Sequence, residues 1–392
     1  MLYAHQQKLL DYSPDKHLLA WECGTGKTRA VLSLAKSKTN NILVVCPKSL
    51  KEQWREQCSY DVMSKEEFKK SYKSIKKYDC LCLDEAHFFA GMQGLKKKSQ
   101  LLKSLLDYIK IHNPQYIYLL TATPYMSSPF NLYALSEILG YKLNYGQFKK
   151  MFFQEVNMGL RWPVPVVRKG IEPLIGQIVQ KIGSTVKMSD CFDVPEQVFQ
   201  TEYFELTKEQ KKAIDSLEDT AAIVRWTKVH QICGGTLKSD GYNEDKVFKN
   251  EKMPRILELA KENKKLVIVC RYNNEIDDLK DMLCEYNVKV INGAVKDRDI
   301  IVKEAESANE CIVIVNAFCS EGFEIPSFPL MIFYSLDFSL KNFVQICGRI
   351  LRANKLKKNV YKFLVVKKTI DEDVKKSMEK KENFQVEIYE KR

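Results

Sequence analysis

Short, almost uninterrupted apolar runs of strand length recur along this chain, separated by segments long enough to form helices. The runs fall at 41–46, 79–83, 116–120, 266–270, 311–315, 330–334 and 360–366. The segments 47–60 and 274–286 mix apolar and charged residues at helical spacing. A strand that is apolar on both faces must be covered on both faces. The alternation therefore predicts an α/β fold with parallel sheets flanked by helices. It occurs twice, over 15–140 and again over 255–370. A length of 392 residues also fits two domains of about 100–200 residues each. The expected division is 1–195 and 196–392.

The middle of the chain, 125–255, reads differently. Segments 132–140 and 207–232 have helical patterning, with loops at 161–170 and 234–245, so helical elaboration between two α/β halves is expected. The end, 367–384, reads as a closing helix with a charged, solvated face. Within the loop 161–170, Trp162 between basic residues is a candidate nucleic-acid contact, or equally a hydrophobic plug.

The formal net charge is +12 at pH 7, which suits a polyanionic partner such as DNA or RNA. A lysine-rich compositional bias would give the same figure. Twelve cysteines are present, but no C-x-x-C pair occurs, and Cys46, Cys80, Cys82 and Cys270 lie inside apolar runs. Buried free thiols explain them better than zinc or disulfides. The first residues lack a signal-peptide layout, and no apolar run approaches the roughly 20 residues of a membrane span. The expectation is a soluble, cytoplasmic chain, in the host cytoplasm if a phage encodes it.

The stretch 21-WECGTGKTRA-30 carries the chemistry-bearing motif nearest the N-terminus. Triphosphate binding needs backbone N–H groups aimed at oxygens, a cation for the β- and γ-phosphates, and a hydroxyl for Mg²⁺. Gly24 and Gly26 permit close backbone approach, while Lys27 and Thr28 open a helix whose N-terminus favours anions. Trp21 stands where the usual loop has its first glycine, so a chance match stays open on this stretch alone. The second motif, 84-DEAH-87, directly follows an apolar run. A carboxylate at a strand's C-terminal end sits where open α/β sheets bind ligands. There Asp84 would hold Mg²⁺ and Glu85 would activate water; the plain alternative is an acidic turn. Next, 121-TATP-124 follows a third run, and its two hydroxyls could couple a phosphate site to a moving part. In 345-QICGRILR-352, Arg349 and Arg352 are three apart on one helix face. Such arginines can neutralise charge on a transferring phosphoryl group.

In this order, the phosphate loop, DEAH, TATP and Q-x-x-G-R-x-x-R resemble a superfamily-two helicase. Finer features resemble its Swi/Snf-type branch: 2-LYAHQQKLL-10, 46-CPKSLKEQW-54, 266-LVIVCRYNNEIDDLKDML-283, 291-INGAVKDRD-299 and 314-IVNAFCSEGFEIPSF-328. The resemblance covers nearly the whole chain. It implies two RecA-like lobes, an ATP-binding lobe over 1–195 and a helicase lobe over 196–392, with ATP and Mg²⁺ held between them. By the same resemblance Gln6 reads the adenine, and Cys23, Gly24, Thr25, Gly26, Lys27 and Thr28 cradle the phosphates. Thr28 and Asp84 hold the metal, and Lys27, Asp84, Glu85, Gln345, Arg349 and Arg352 form the catalytic set. Lys48, Thr121, Thr123 and Ser320 would contact the nucleic-acid backbone. The Ser320-Glu321-Gly322 turn is less glycine-rich than the family pattern.

The resemblance implies a DNA-stimulated ATPase that moves on duplex or branched DNA without reading sequence, as in branch migration during recombination, repair or replication. The compact layout is similar to stand-alone helicases of phages and other viruses. Two rival readings stand beside it: an RNA helicase or transcript-releasing ATPase, and a nucleotide-gated DNA clamp that does not hydrolyse.

Overall fold

The computed structural model describes residues 2–93, 97–125, 128–157, 164–168, 170–217, 222–238, 245–295, 297–319, 322–351 and 358–380. The chain divides into two compact units, Met1–Phe192 and Asp193–Arg392.

In the first unit six parallel strands form one sheet. Their spatial order is Gly183–Val186, Lys16–Trp21, Tyr116–Leu120, Cys80–Leu83, Ile42–Cys46 and Asp61–Ser64. The two-residue period of a strand sorts its side chains between two cores. Leu18, Ala20, Leu43, Val45, Leu81, Leu83, Ile117 and Leu119 face one apolar cluster. Their neighbours Leu19, Trp21, Ile42, Val44, Cys46, Cys80, Cys82, Tyr118 and Leu120 face the other. The helix Lys27–Lys38 covers the second face with Ala30, Val31, Leu34 and Ala35. Lys36 and Lys38 in its last turn complement the helix dipole. Because all six strands are parallel, the segments after Trp21, Leu83 and Leu120 emerge at the same end of the sheet. These are the glycine loop, DEAH and TATP.

The second unit repeats the plan, with parallel strands in the order Glu196–Phe204, Lys358–Val366, Leu330–Phe333, Lys265–Cys270, Cys311–Asn316 and Val288–Ile291. Its apolar residues alternate in the same manner between two clusters. Both sheets match the α/β expectation.

The middle of the chain is less helical than its pattern suggested. Helices Phe130–Ile138, Tyr145–Phe152, Glu172–Ile182, Lys208–Asp215 and Ala222–Gly234 are present. An antiparallel hairpin, Phe153–Val156 with Val164–Val167, lies among them. Two strands from this region are edges of the two sheets. Gly183–Val186 is GSTV, and Glu196–Phe204 is EQVFQTEYF with most side chains at least partly exposed. An edge strand has one hydrogen-bonded neighbour and less cover, so its sequence lacks the apolar run that marks a buried strand. The segment 207–232, expected to be helical, holds the helices Lys208–Asp215 and Ala222–Gly234. Trp162 lies outside the described residues.

All twelve cysteines are free, and Cys46, Cys80, Cys82 and Cys270 are buried as their apolar runs implied. Burial pushes the Cys46 thiol up to about 12. Among the described residues no helix is long and apolar enough to cross a membrane.

Candidate active site

Gly24 and Gly26 have φ of 81° and 78°, the left-handed region that costs a side-chain-bearing residue about 1–2 kcal/mol. At Gly26 a Cβ would also stand 2.4 Å from Gln6 Nε2, so a side chain there would have to displace the Gln6 amide. Gln6 is fully buried and donates from Nε2 to the Gly26 carbonyl at 3.1 Å, while its Oε1 accepts from the Tyr3 amide at 2.9 Å. His5 Nε2 lies 2.8 Å from the Thr25 carbonyl, so that nitrogen carries the proton. No sequence motif marks His5.

Lys27 opens its helix and donates to the carbonyls of Trp21 (2.9 Å) and Glu22 (3.1 Å). These are backbone acceptors that a bound anion can replace. Thr25 is buried, its hydroxyl donating to the Glu22 carbonyl at 2.7 Å, whereas Cys23 and Thr28 are half-buried. Trp21 is 1% exposed, and its Nε1 donates to Ser184 Oγ at 2.9 Å. Trp21 thus belongs to the apolar cluster that the strand Lys16–Trp21 shares with its neighbours. The glycine cradle, a releasable ammonium and the free N–H groups of a helix start fit a nucleotide phosphate chain.

Asp84 follows the strand Cys80–Leu83 and is 8% exposed. Its Oδ1 accepts from the Glu85 amide at 2.9 Å, and its Oδ2 accepts from Trp54 Nε1 at 2.8 Å. Burial, with the Glu85 charge beside it, pushes the Asp84 carboxyl up to about 6, against the pull of Trp54 and Lys27. Glu85 adopts φ 47°, an uncommon left-handed turn for a non-glycine residue. His87 Nδ1 stands 3.2 Å from Glu85 Oε2 and 3.2 Å from Thr121 Oγ1. Thr121 Oγ1 also accepts from the Thr123 amide at 3.1 Å.

Thr121, expected at the nucleic-acid backbone, is fully buried, and its hydroxyl is taken by His87 and Thr123. It ties the carboxylate turn to the next strand end. Thr123 is half-buried, and Lys48 is exposed on the turn Lys48–Leu50.

In the second unit, Gln345 is buried in the helix Leu340–Cys347. Arg349 is also buried. It donates from Nη1 to the Phe323 carbonyl at 3.0 Å and from Nε to the Gln345 carbonyl at 3.1 Å. It thereby braces the segment after Gly322. Arg352 and Ser320 lie outside the described residues.

The second unit also holds a buried ion network that no local motif announced. Lys252 Nζ is 2.6 Å from Asp371 Oδ2, and His230 Nε2 is 3.2 Å from Asp371 Oδ1. His230 Nδ1 is 3.0 Å from the Tyr272 hydroxyl. Burial pushes His230 down to about 3 and Glu275 up to about 7. Arg271 pairs with Asp337 and lies 3.9 Å from the centre of the Phe338 ring.

Residues 249–354 match the helicase conserved C-terminal domain. No curated protein matches the sequence. Among solved structures, the Hef helicase domain of Pyrococcus furiosus aligns at 12% identity. That alignment covers 96% of this chain and 98% of the other, with a TM-score of 0.56. The Sulfolobus solfataricus SWI2/SNF2 ATPase core in complex with double-stranded DNA aligns at 18% identity over 97% of this chain and 91% of that one, with a TM-score of 0.41. The Hef alignment and the two parallel sheets give the fold as two RecA-like units, with the helicase C-terminal match in the second.

Proposed function

We propose that this chain is an ATP-dependent nucleic-acid translocase or helicase whose track is DNA. The carrying observation is the meeting of three strand ends in the first unit: the Gly24–Gly26 loop with Lys27, the Asp84–Glu85 pair, and the His87–Thr121 link. The helicase C-terminal domain at 249–354 supports the same broad activity. DNA as the track rests on the net charge of +12 and on the motif resemblance.

Bound ATP with Mg²⁺ would supply the phosphoryl group and the energy of its transfer. Lys27 would exchange the carbonyls of Trp21 and Glu22 for phosphate oxygens. Thr28 and Asp84 would hold the metal, and Gln6 would face the base. Glu85 would orient and deprotonate water, with His87 fixing its carboxylate. Arg349 and Arg352 are assigned to neutralising charge on the phosphoryl group, and Lys48 to the DNA backbone. Gly24, Thr25 and Gly26 would direct backbone groups at the phosphates, and Cys23 would line the loop.

The test is steady-state ATPase of the wild type and Glu85→Gln with no nucleic acid, linear duplex, single strand, a four-way junction and RNA. Loss of the general base should lower turnover about 10²–10⁴-fold while nucleotide binding persists. Strongest stimulation by the junction supports movement on branched DNA. Stimulation by RNA alone would move the assignment to an RNA helicase. DNA binding gated by nucleotide, with no phosphate release from the wild type, would make the chain a clamp.

A further inference from the structure

We infer that Trp54 is a positioning residue for Asp84, holding its carboxylate in the orientation needed to receive Mg²⁺; the inference rests on the nucleotide site proposed above. The two residues are 30 positions apart and meet because their strands are neighbours. Ile42–Cys46 pairs in parallel with Cys80–Leu83, so the helix Lys51–Gln57 and the DEAH turn leave the same end of the sheet. Trp54 is 2% exposed, its ring packed in the apolar cluster with Cys46, Val62 and Cys82. Packing therefore fixes the ring, and the ring fixes the N–H.

An indole nitrogen only donates. Its bond to Oδ2 at 2.8 Å complements the amide of Glu85 on Oδ1 at 2.9 Å. Each carboxylate oxygen thus has one protein donor and keeps further lone-pair capacity for a metal or its water. Without the indole, one oxygen is unrestrained and the carboxylate can turn about its χ2 bond. Donors behind a metal-holding carboxylate typically change metal affinity 10–100-fold. A large aromatic residue at this position could serve packing alone. The N–H aimed at the carboxylate gives Trp54 a second use that phenylalanine cannot supply.

The experiment measures equilibrium binding of a fluorescent ADP analogue against Mg²⁺ concentration at pH 8. The proteins are the full-length wild type, Trp54→Phe, Asp84→Asn and the double variant, each with its thermal unfolding curve. Trp54→Phe should raise the half-saturating Mg²⁺ concentration tenfold or more, with Mg²⁺-free nucleotide affinity unchanged. In the Asp84→Asn background, Trp54→Phe should add nothing, because the metal-holding carboxylate that the indole orients is gone. Unchanged Mg²⁺ dependence in Trp54→Phe would overturn the inference. So would an equal loss of affinity in both backgrounds, the mark of packing alone, even if the variant unfolds at lower temperature. Absence of any Mg²⁺-dependent nucleotide binding in the wild type would instead remove the nucleotide-site reading, and this inference with it.

Discussion

The two units end their parallel strands in opposite ways. In the first, the loop after the strand Lys16–Trp21 takes partners that can be given up: Lys27 donates to two main-chain carbonyls, and the loop turns on two glycines at positive φ. In the second, side chains close on one another. Lys252 and His230 meet Asp371, Arg271 meets Asp337, and Ser335 Oγ donates to Glu275 Oε2 at 2.5 Å. Backbone carbonyls released by a lysine can return to water at little cost, whereas a buried carboxylate stripped of its cation is left uncompensated. One strand-end region is built to exchange partners, and the other to keep them.

The sharpest way to break this contrast is to remove one lysine from each unit. Lys252→Ala should destabilise the second unit by about 3–5 kcal/mol, because Asp371 stays buried without its cation. Lys27→Ala should change stability by no more than about 0.5 kcal/mol while abolishing nucleotide binding. Denaturant unfolding and fluorescent-nucleotide titration read the two effects. Equal stability losses would erase the distinction.

A smaller effect concerns pH. Glu275 has a folded-state pKa raised to about 7, so the folded chain holds that proton more tightly than the unfolded one does. Its contribution to stability therefore rises as pH falls from 7 through 4.5. His230 runs the other way: lowered to about 3, it stays neutral when folded, and stability is lost as pH falls below 6.5. Glu275→Gln removes the cost of burying a charge. It should unfold at higher temperature than the wild type at pH 8, and the gain should shrink by pH 5. A gain independent of pH would rule out burial of a charged Glu275 as the cause.

The smallest effect is at Gly26. Gly26→Ala places a Cβ against Gln6 Nε2 at φ 78° and should cost about 1–2 kcal/mol in the first unit, with weakened nucleotide binding. A variant as stable as the wild type would mean that the loop relaxes away from Gln6, and that the close approach is dispensable.

Much of the fold was legible because buried strands are written as continuous apolar runs. Ile42–Cys46 and Cys311–Asn316 are buried at every position, and both were expected within a residue or so. Gly183–Val186 and Glu196–Phe204 were missed because edge strands are specified by a neighbour's hydrogen bonds more than by their own hydrophobicity. In the candidate site, the glycine loop and the carboxylate pair were legible as local spacing. The burial of Thr121 was not, since TATP reads as a plain turn until His87 is brought against it.

By itself the sequence determined the α/β alternation, the strand ends that carry Lys27, Asp84 and Glu85, and the basic character of the chain. These depend on period, adjacency and composition, which are local. Only the tertiary structure decided that Trp54 would hold Asp84, that His87 would join Glu85 to Thr121, and that Lys252 would meet Asp371 across 119 positions. Those pairs are made by the order and register of parallel strands, which bring distant residues to one sheet end, and no local pattern encodes which strands become neighbours.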